Sequence, residues 1–323
     1  MEKNQSNQYD KKYFDWQRSM GNFGGWANAP IFEKFIKPED TVLDFGGGGG
    51  YLLSNLKCQR KIVLEINVFA HSEIKRNGAE AISNLEQISN ESIDTIISSN
   101  ALEHTLHPLS EIKHLYEKLK PNGKIIFVVP CENISYSYAP WDVNHHLYSW
   151  SPMGIGNLFS EAGFHVLESK PYIHKWPPHF RTYAKFGRKF FDICCRIYGR
   201  IERTWFQVRV VAEKNSGLNA IPLENLTERE IYLWGAGTEG GWYLNQCRLN
   251  AIKIHAFLDI NQSLQGTKKD GIPIVTPNEV LPNNNPKPYV IICVSKHAKK
   301  IRENLLELGY LDKYDFCIPF QTV

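Results

Sequence analysis

Five consecutive glycines, residues 46–50, follow directly on the β-branched and apolar segment Thr41-Val-Leu-Asp-Phe45 and lead into Tyr51-Leu-Leu53. A chain without Cβ atoms can turn sharply after a strand and bring its backbone close to a bound ligand. The segment is therefore expected to be a strand-to-helix turn at the ligand-binding edge of an α/β sheet. The dinucleotide spacing G-x-G-x-x-G fits less well, because Tyr51 falls at the third glycine when counting starts at Gly46.

Short apolar runs alternate with helical periodicity around this turn. Strands are predicted at residues 41–45, 61–65, 93–98 and 124–129. A helix is predicted over 110–119, stopped by Lys120-Pro-Asn-Gly123. Such alternation implies right-handed crossovers, a parallel sheet with helices on both faces, and ligands beyond the carboxyl ends of the strands. Further strands are expected at 164–168 and 206–212, with a helix over 153–162 and an interruption from 172 to 204. Residues 215–219 read as a linker. A second strand–glycine–helix unit then opens at Ile231-Tyr-Leu-Trp-Gly-Ala-Gly-Thr-Glu-Gly240, followed by strand-like segments at 255–259, 272–275 and 289–294 and a helix over 296–308.

With 323 residues the chain has room for two domains. A formal charge of +3 implies no nucleic-acid partner, and no apolar run approaches the roughly 20 residues that span a bilayer. The polar first ten residues lack the apolar core of a signal peptide. Seven cysteines without a C-x-x-C pair suggest neither a disulfide framework nor a zinc site. A reducing cytoplasm is the expected compartment.

The spacing Asp44-x-Gly46-x-Gly48-x-Gly50 resembles the cofactor-binding segment of class I S-adenosylmethionine (SAM)-dependent methyltransferases. Other segments follow in that family's order. Glu65 ends the second strand. Ala81-Ile-Ser-Asn-Leu85 resembles the adenine-edge segment, without the usual acidic residue. Residues 93–104 resemble the fourth strand and its turn, and 115–127 the next helix and strand, with Asn122 where glycine is commoner. The resemblance covers roughly residues 9–213. It implies a Rossmann-like methyltransferase sheet whose last two strands are antiparallel, so that 172–204 is an insertion at that hairpin.

By this resemblance the cofactor is SAM. Asp44, Phe45, Gly46, Gly48 and Gly50 would approach it, and Glu65 would accept from both ribose hydroxyls. Ile66, Asn84 and Leu85 would surround adenine, and Asn100, in the turn that follows the fourth strand, would also contact the cofactor. The aromatic segment 9–26, around Gly24-Gly25, would be a lid carrying Tyr13 toward SAM, or would dock on the sheet instead. Sequences of the family that act on small hydroxylated molecules often place a histidine before the helix at 153. That makes His146 or His145 the candidate general base, with His104 next. Neighbouring side chains seldom converge on one ion without further ligands, so no metal is expected at His145 and His146.

The acceptor implied is a small polar molecule, foremost a hydroxyl of a sugar or nucleotide sugar in bacterial glycan or secondary-metabolite biosynthesis. The basic, aromatic insertion would bind substrate phosphate, touch an anionic membrane surface, or simply cover the sheet. The second glycine turn, Gly235-x-Gly237-x-x-Gly240 with Asp259 downstream, fits the dinucleotide pattern. It keeps open an alternative, a redox or nucleotide-sensing protein using NAD(P). Residues 228–323 also resemble small Rossmann-like domains attached to bacterial sugar-modifying enzymes. The expected organisation is a methyltransferase domain over 1–215, a linker over 216–227 and a Rossmann-like accessory domain over 228–323.

Overall fold

In the computed structural model, which describes residues 11–133, 135–142, 144–203, 206–214, 229–249, 252–282, 286–312 and 314–319, the segment before the glycines is the strand β1 (Thr41–Phe45). It lies between β2 (Arg60–Leu64) and β4 (Ile93–Ser99), parallel to both. With β3 (Glu80–Ile82), β5 (Leu119–Cys131), β6 (His165–Tyr172) and β7 (Phe206–Glu213) it forms a seven-stranded sheet of order β3-β2-β1-β4-β5-β7-β6. β7 runs antiparallel to both β5 and β6. The chain leaves β1 toward β2 and β3, then crosses to β4 on the other side. Strand order thus reverses beside β1, where open α/β sheets bind ligands.

Both sheet faces are covered, and alternating side chains explain why. Leu43, Ile62, Ile96, Ile125 and Phe127 enter one core, while Val42, Val63, Ile97, Ile126 and Val128 enter the other. The chain divides into two units, Met1–Lys214 and Asn215–Val323. In the second, β8 (Ile231–Trp234), β9 (Ala256–Leu258), β10 (Lys268–Lys269), β11 (Ile272–Val275), β12 (Tyr289–Ile292) and β13 (Phe316–Cys317) form a six-stranded sheet of order β10-β11-β9-β8-β12-β13. The linker expected at 216–227 lies outside the described residues.

Three local readings are corrected. The turn expected at Gly24-Gly25 is absent; one helix, α1 (Lys11–Phe32), runs through it. Glycine serves packing there, since a Cβ on Gly25 would lie 2.3 Å from the Tyr51 carbonyl oxygen and one on Gly21 would lie 2.5 Å from the Tyr51 ring. Lys120-Pro-Asn-Gly123 belongs to the start of β5, which pairs with β4 through an irregularity between Ile93 and Thr95. Asn122 supplies the positive φ of 63° that this bulge requires. The strand β3 was not anticipated; three residues at the sheet's edge give too short a pattern.

Gly25→Ala is expected to destabilise the chain by about 1–3 kcal/mol through overpacking, although alanine favours a helix interior by about 1 kcal/mol over glycine. A raised Tm in thermal unfolding would contradict this account of α1.

Candidate active site

The turn after β1 is held by its own backbone and by the end of β2. The Gly46 N–H donates to the Leu64 carbonyl at 2.9 Å, and φ is positive at Gly46, Gly48 and Gly50. Glycine is obligatory at 46 for a second reason: a Cβ would stand 2.4 Å from that of Ala101. Glu65 follows β2 and accepts from the N–H groups of Gly48 (2.9 Å) and Asn67 (2.8 Å). Each carboxylate oxygen retains a further lone pair. Burial moves the Glu65 carboxyl upward, opposed by those N–H donors.

Asp44 lies beneath this turn, 1% exposed, and its Oδ2 has no hydrogen-bond partner among the described residues. Burial, with the Glu65 charge adding to it, pushes its carboxyl up to about 8. A carboxyl that ionises more readily unfolded than folded stabilises the fold fully below the unfolded value. That contribution is lost as pH rises through the folded value. Stability from Asp44 should therefore decline between about pH 4 and pH 8. Asp44→Asn is expected to make the fall of Tm across this window shallower; identical profiles would contradict the reading.

A cleft of about 770 Å³ opens at the carboxyl edge of β1, β2 and β4, lined by Phe45, Gly46, Glu65, Ile66, Asn84, Leu85, Asn100 and His104, among others. Its size suits a small-molecule ligand. Asn100 directly follows β4 with a φ of 54°; its N–H donates to the Val128 carbonyl and its Oδ1 accepts from Gln207 Nε2. Asp44, Gly48 and Gly50 support the turn without lining the cleft. The side chain of Tyr13 lies outside the described residues. Farther along α1, Phe23 and Trp26 pack on Trp176, Phe180 and Phe191, so this part of the helix docks on the insertion.

Histidines gather at one end of the cleft. Glu103 and His104 follow β4 in a short 3-10 turn, Leu102–His104. The chain returns there because the N–H groups of Leu147 and Tyr148 donate to the Glu103 carbonyl and that of Trp150 to Pro130. His146 thereby stands with its ring 5.0 Å from that of His104. Its Nδ1 meets Glu132 Oε1 at 2.6 Å, and its Nε2 is 3.9 Å from Glu103 Oε1. His145, with a φ of 46°, is exposed. Burial first, and His146 second, push the His104 imidazole down to about 4. Burial, with Glu132 adding to it, pushes the Glu103 carboxyl up to about 8. The sequence reading missed Glu132 and gave Glu103 no role. The available signal was position, since Glu132 directly follows β5 at the sheet's ligand-binding edge.

Residues 26–169 match the family model described as a methyltransferase domain. This part of the chain is a methyltransferase domain. Domains of this kind take their methyl group from SAM, and the cleft's strand-end carboxylate and backbone turn fit that cofactor. Residues 227–314 match a family model described as C2185-like, N-terminal. A comparison with curated proteins gives no match.

Among solved structures, a chain from the complex of the Haloferax volcanii Trm112 activator with a methyltransferase is similar at 19% identity. The match covers 65% of this chain and 96% of that one, with a TM-score of 0.49. A SAM-dependent methyltransferase from Thermotoga maritima is similar at 16% identity, 62% and 95% coverage and a TM-score of 0.45. Geranyl diphosphate C-methyltransferase from Streptomyces coelicolor is similar at 14% identity, 58% and 77% coverage and a TM-score of 0.42.

Within the first unit the basic insertion folds as helices α2 (Phe180–Ala184) and α3 (Arg188–Glu202). Several of its cations have structural partners. Lys175 pairs with Glu202, Arg188 with Glu33 and Arg196 with Asp192. No helix among the described residues is long and apolar enough to cross a membrane.

The second unit repeats one device of the first: Asp259 follows β9 and accepts from the Ala236 N–H at 2.8 Å, as Glu65 does from Gly48. Lys269 Nζ donates across this turn to the carbonyls of Ala236 and Gly237.

Proposed function

We propose that the chain transfers the methyl group of SAM to a hydroxyl of a small polar acceptor, foremost a sugar or nucleotide sugar. The observation that carries this reading is the adjacency of two sites. The cleft presents Glu65, Ile66, Asn84 and Leu85 for an adenosine, and its end at His104 abuts His146 with its carboxylate partner Glu132.

The cofactor supplies an electrophilic methyl carbon bonded to a sulfonium. Glu65 would hold the ribose hydroxyls with its remaining lone pairs, while Ile66 and Leu85 exclude water from the base. Much of the catalysis is then positioning of two reactants. Glu132 orients His146 through Nδ1, which leaves Nε2 to receive the acceptor hydroxyl proton. His104, kept neutral by burial, leaves the approach of a cationic donor unopposed. Polar side chains on the cleft wall, among them His107, Glu111 and His114, support a hydroxylated acceptor.

A second reading, NAD(P) binding at the turn after β8, is favoured by one observation, the Asp259–Ala236 hydrogen bond beyond a Gly235 with φ of 114°. Incubation with methyl-labelled SAM and a panel of sugars and nucleotide sugars, read by mass spectrometry, tests the first reading. Label should enter one acceptor class. Thermal shifts with S-adenosylhomocysteine and NAD separate the two, since a ligand selective for the folded state stabilises it. A response to NAD with none to S-adenosylhomocysteine would overturn the proposal.

A further inference from the structure

The geometry points to a divalent-cation site of the zinc type formed by Glu103, His104 and His146 beside the cofactor cleft. One potential ligand atom from each residue lies within 4.8 Å of the others. The Nε2 atoms of His104 and His146 both stand 3.9 Å from Glu103 Oε1. Ligand atoms on a tetrahedral zinc ion, at about 2.0–2.2 Å from the metal, lie about 3.4 Å apart. Shortening the two separations from Glu103 by about 0.5 Å, with the two imidazole nitrogens drawn in to match, would close the shell.

Two further observations point to a ligand. Glu103 is 0% exposed, and neither of its carboxyl oxygens has a hydrogen-bond partner among the described residues. A buried polar group left unsatisfied costs about 1–3 kcal/mol, and a cation at this point removes that cost. The Nδ1 of His146 rests on Glu132. Metal-bound histidines usually carry such a carboxylate on their other nitrogen, which fixes the tautomer and raises ligand basicity.

Two imidazoles and one carboxylate leave a position open for a substrate heteroatom or water. The adjacent imidazoles of His145 and His146 do not converge; His104, brought in from another strand end, supplies the second nitrogen. The role, though not the binding, rests on the methyl-transfer reading. With the ion in place, His146 would hold the metal instead of taking the proton itself. The metal would lower the pKa of the acceptor hydroxyl, its proton would pass to water, and the oxygen would take the methyl as the carbon–sulfur bond breaks to release S-adenosylhomocysteine.

The test uses the full chain after chelator treatment, titrated with Zn²⁺ by calorimetry and with Co²⁺ by visible absorption. One saturable site is expected. Glu103→Gln should weaken it at least 100-fold, and Glu132→Gln about 10-fold as an outer-shell change. His297→Ala, an exposed imidazole in the second unit, should leave it unchanged. Should Glu103→Gln fail to fold, Glu132→Gln and the Co²⁺ bands of nitrogen ligation decide. No saturable uptake, or uptake indifferent to Glu103 and Glu132, would overturn the site. S-adenosylhomocysteine binding, followed in parallel, keeps that failure distinct from failure of the methyltransferase reading.

The helix α3 carries a second, independent inference. Its inner face, Phe191, Cys195 and Gly199, is buried, with Phe191 and Cys195 packed near Phe23, Trp26 and Trp176. Its outer face bears Phe190, Ile193, Ile197 and Ile201, all exposed and 76% so at Ile201, with Phe186 exposed just before it. This spacing makes one continuous apolar stripe. Exposed Lys189 and Arg200 run along one flank, on either side of the Asp192-paired Arg196, with Arg181 and Lys185 nearby.

We infer that this stripe docks on an anionic lipid surface. Apolar side chains would enter the headgroup boundary while the flanking cations meet lipid phosphates. A second copy is the weaker occupant, because facing stripes would oppose like charges. Co-sedimentation with phosphatidylcholine vesicles, with and without phosphatidylglycerol, tests it. Binding should require the anionic lipid, weaken in salt, and fall at least 10-fold in the doubly substituted chain Ile193→Ser, Ile197→Ser. Circular dichroism should show the fold intact, since both positions are exposed. Absence of vesicle binding, binding unchanged by the substitutions, or self-association abolished by them would overturn the inference.

Discussion

Glu65→Ala is expected to weaken binding of SAM and S-adenosylhomocysteine by roughly 10- to 100-fold. Glu65 stands where the cleft meets the end of β2, its oxygens fixed by the Gly48 and Asn67 N–H groups. A hydrogen bond to a charged group is worth about 1.5–3 kcal/mol, and the account assigns this carboxylate two ribose hydroxyls. The substitution also frees two backbone donors of the turn, so a modest fall in Tm should accompany the loss. Glu65→Gln should retain part of the affinity, because one side-chain oxygen still accepts. Calorimetric titration checks both, and unchanged affinity in Glu65→Ala would remove Glu65 from the cofactor site.

His146→Ala is expected to lower kcat by about 10²- to 10⁴-fold, the usual weight of a general acid–base group. Affinity for S-adenosylhomocysteine should stay within about 3-fold, since His146 touches none of the groups assigned to adenosine. That split between kcat and cofactor affinity would mark a residue acting on the acceptor. Full activity in the variant would exclude His146 from the reaction. Equal losses in rate and cofactor affinity would instead indicate collapse of the segment pinned to Glu103.

Much of the sheet was legible because each inner strand is a short β-branched run bounded by turn residues. Asp44, the glycines and Glu65 could be placed for the same reason: they sit at strand ends whose order the chain direction dictates. The long helix α1 was not legible at Gly24-Gly25, because glycine reads as a turn unless its contact with the Tyr51 backbone is known. Likewise, the proline and glycine at 121 and 123 read as a stop, whereas the β4 partner admits a bulge there. The histidine cluster shows the limit most clearly. His104 and His146 are 42 residues apart, and long-range hydrogen bonds, from Leu147 and Tyr148 to Glu103 and from Trp150 to Pro130, help bring them together. Periodicity carries no trace of such a contact. Neither did it single out Glu132, whose role depends on which imidazole faces it.

The most direct test of the central claim is a crystal structure of the full chain with S-adenosylhomocysteine. Its ribose is expected on Glu65, its adenine among Ile66, Asn84 and Leu85, and its sulfur on the side of His104. Density for the nucleoside elsewhere, or a cleft closed by side chains under saturating ligand, would contradict it.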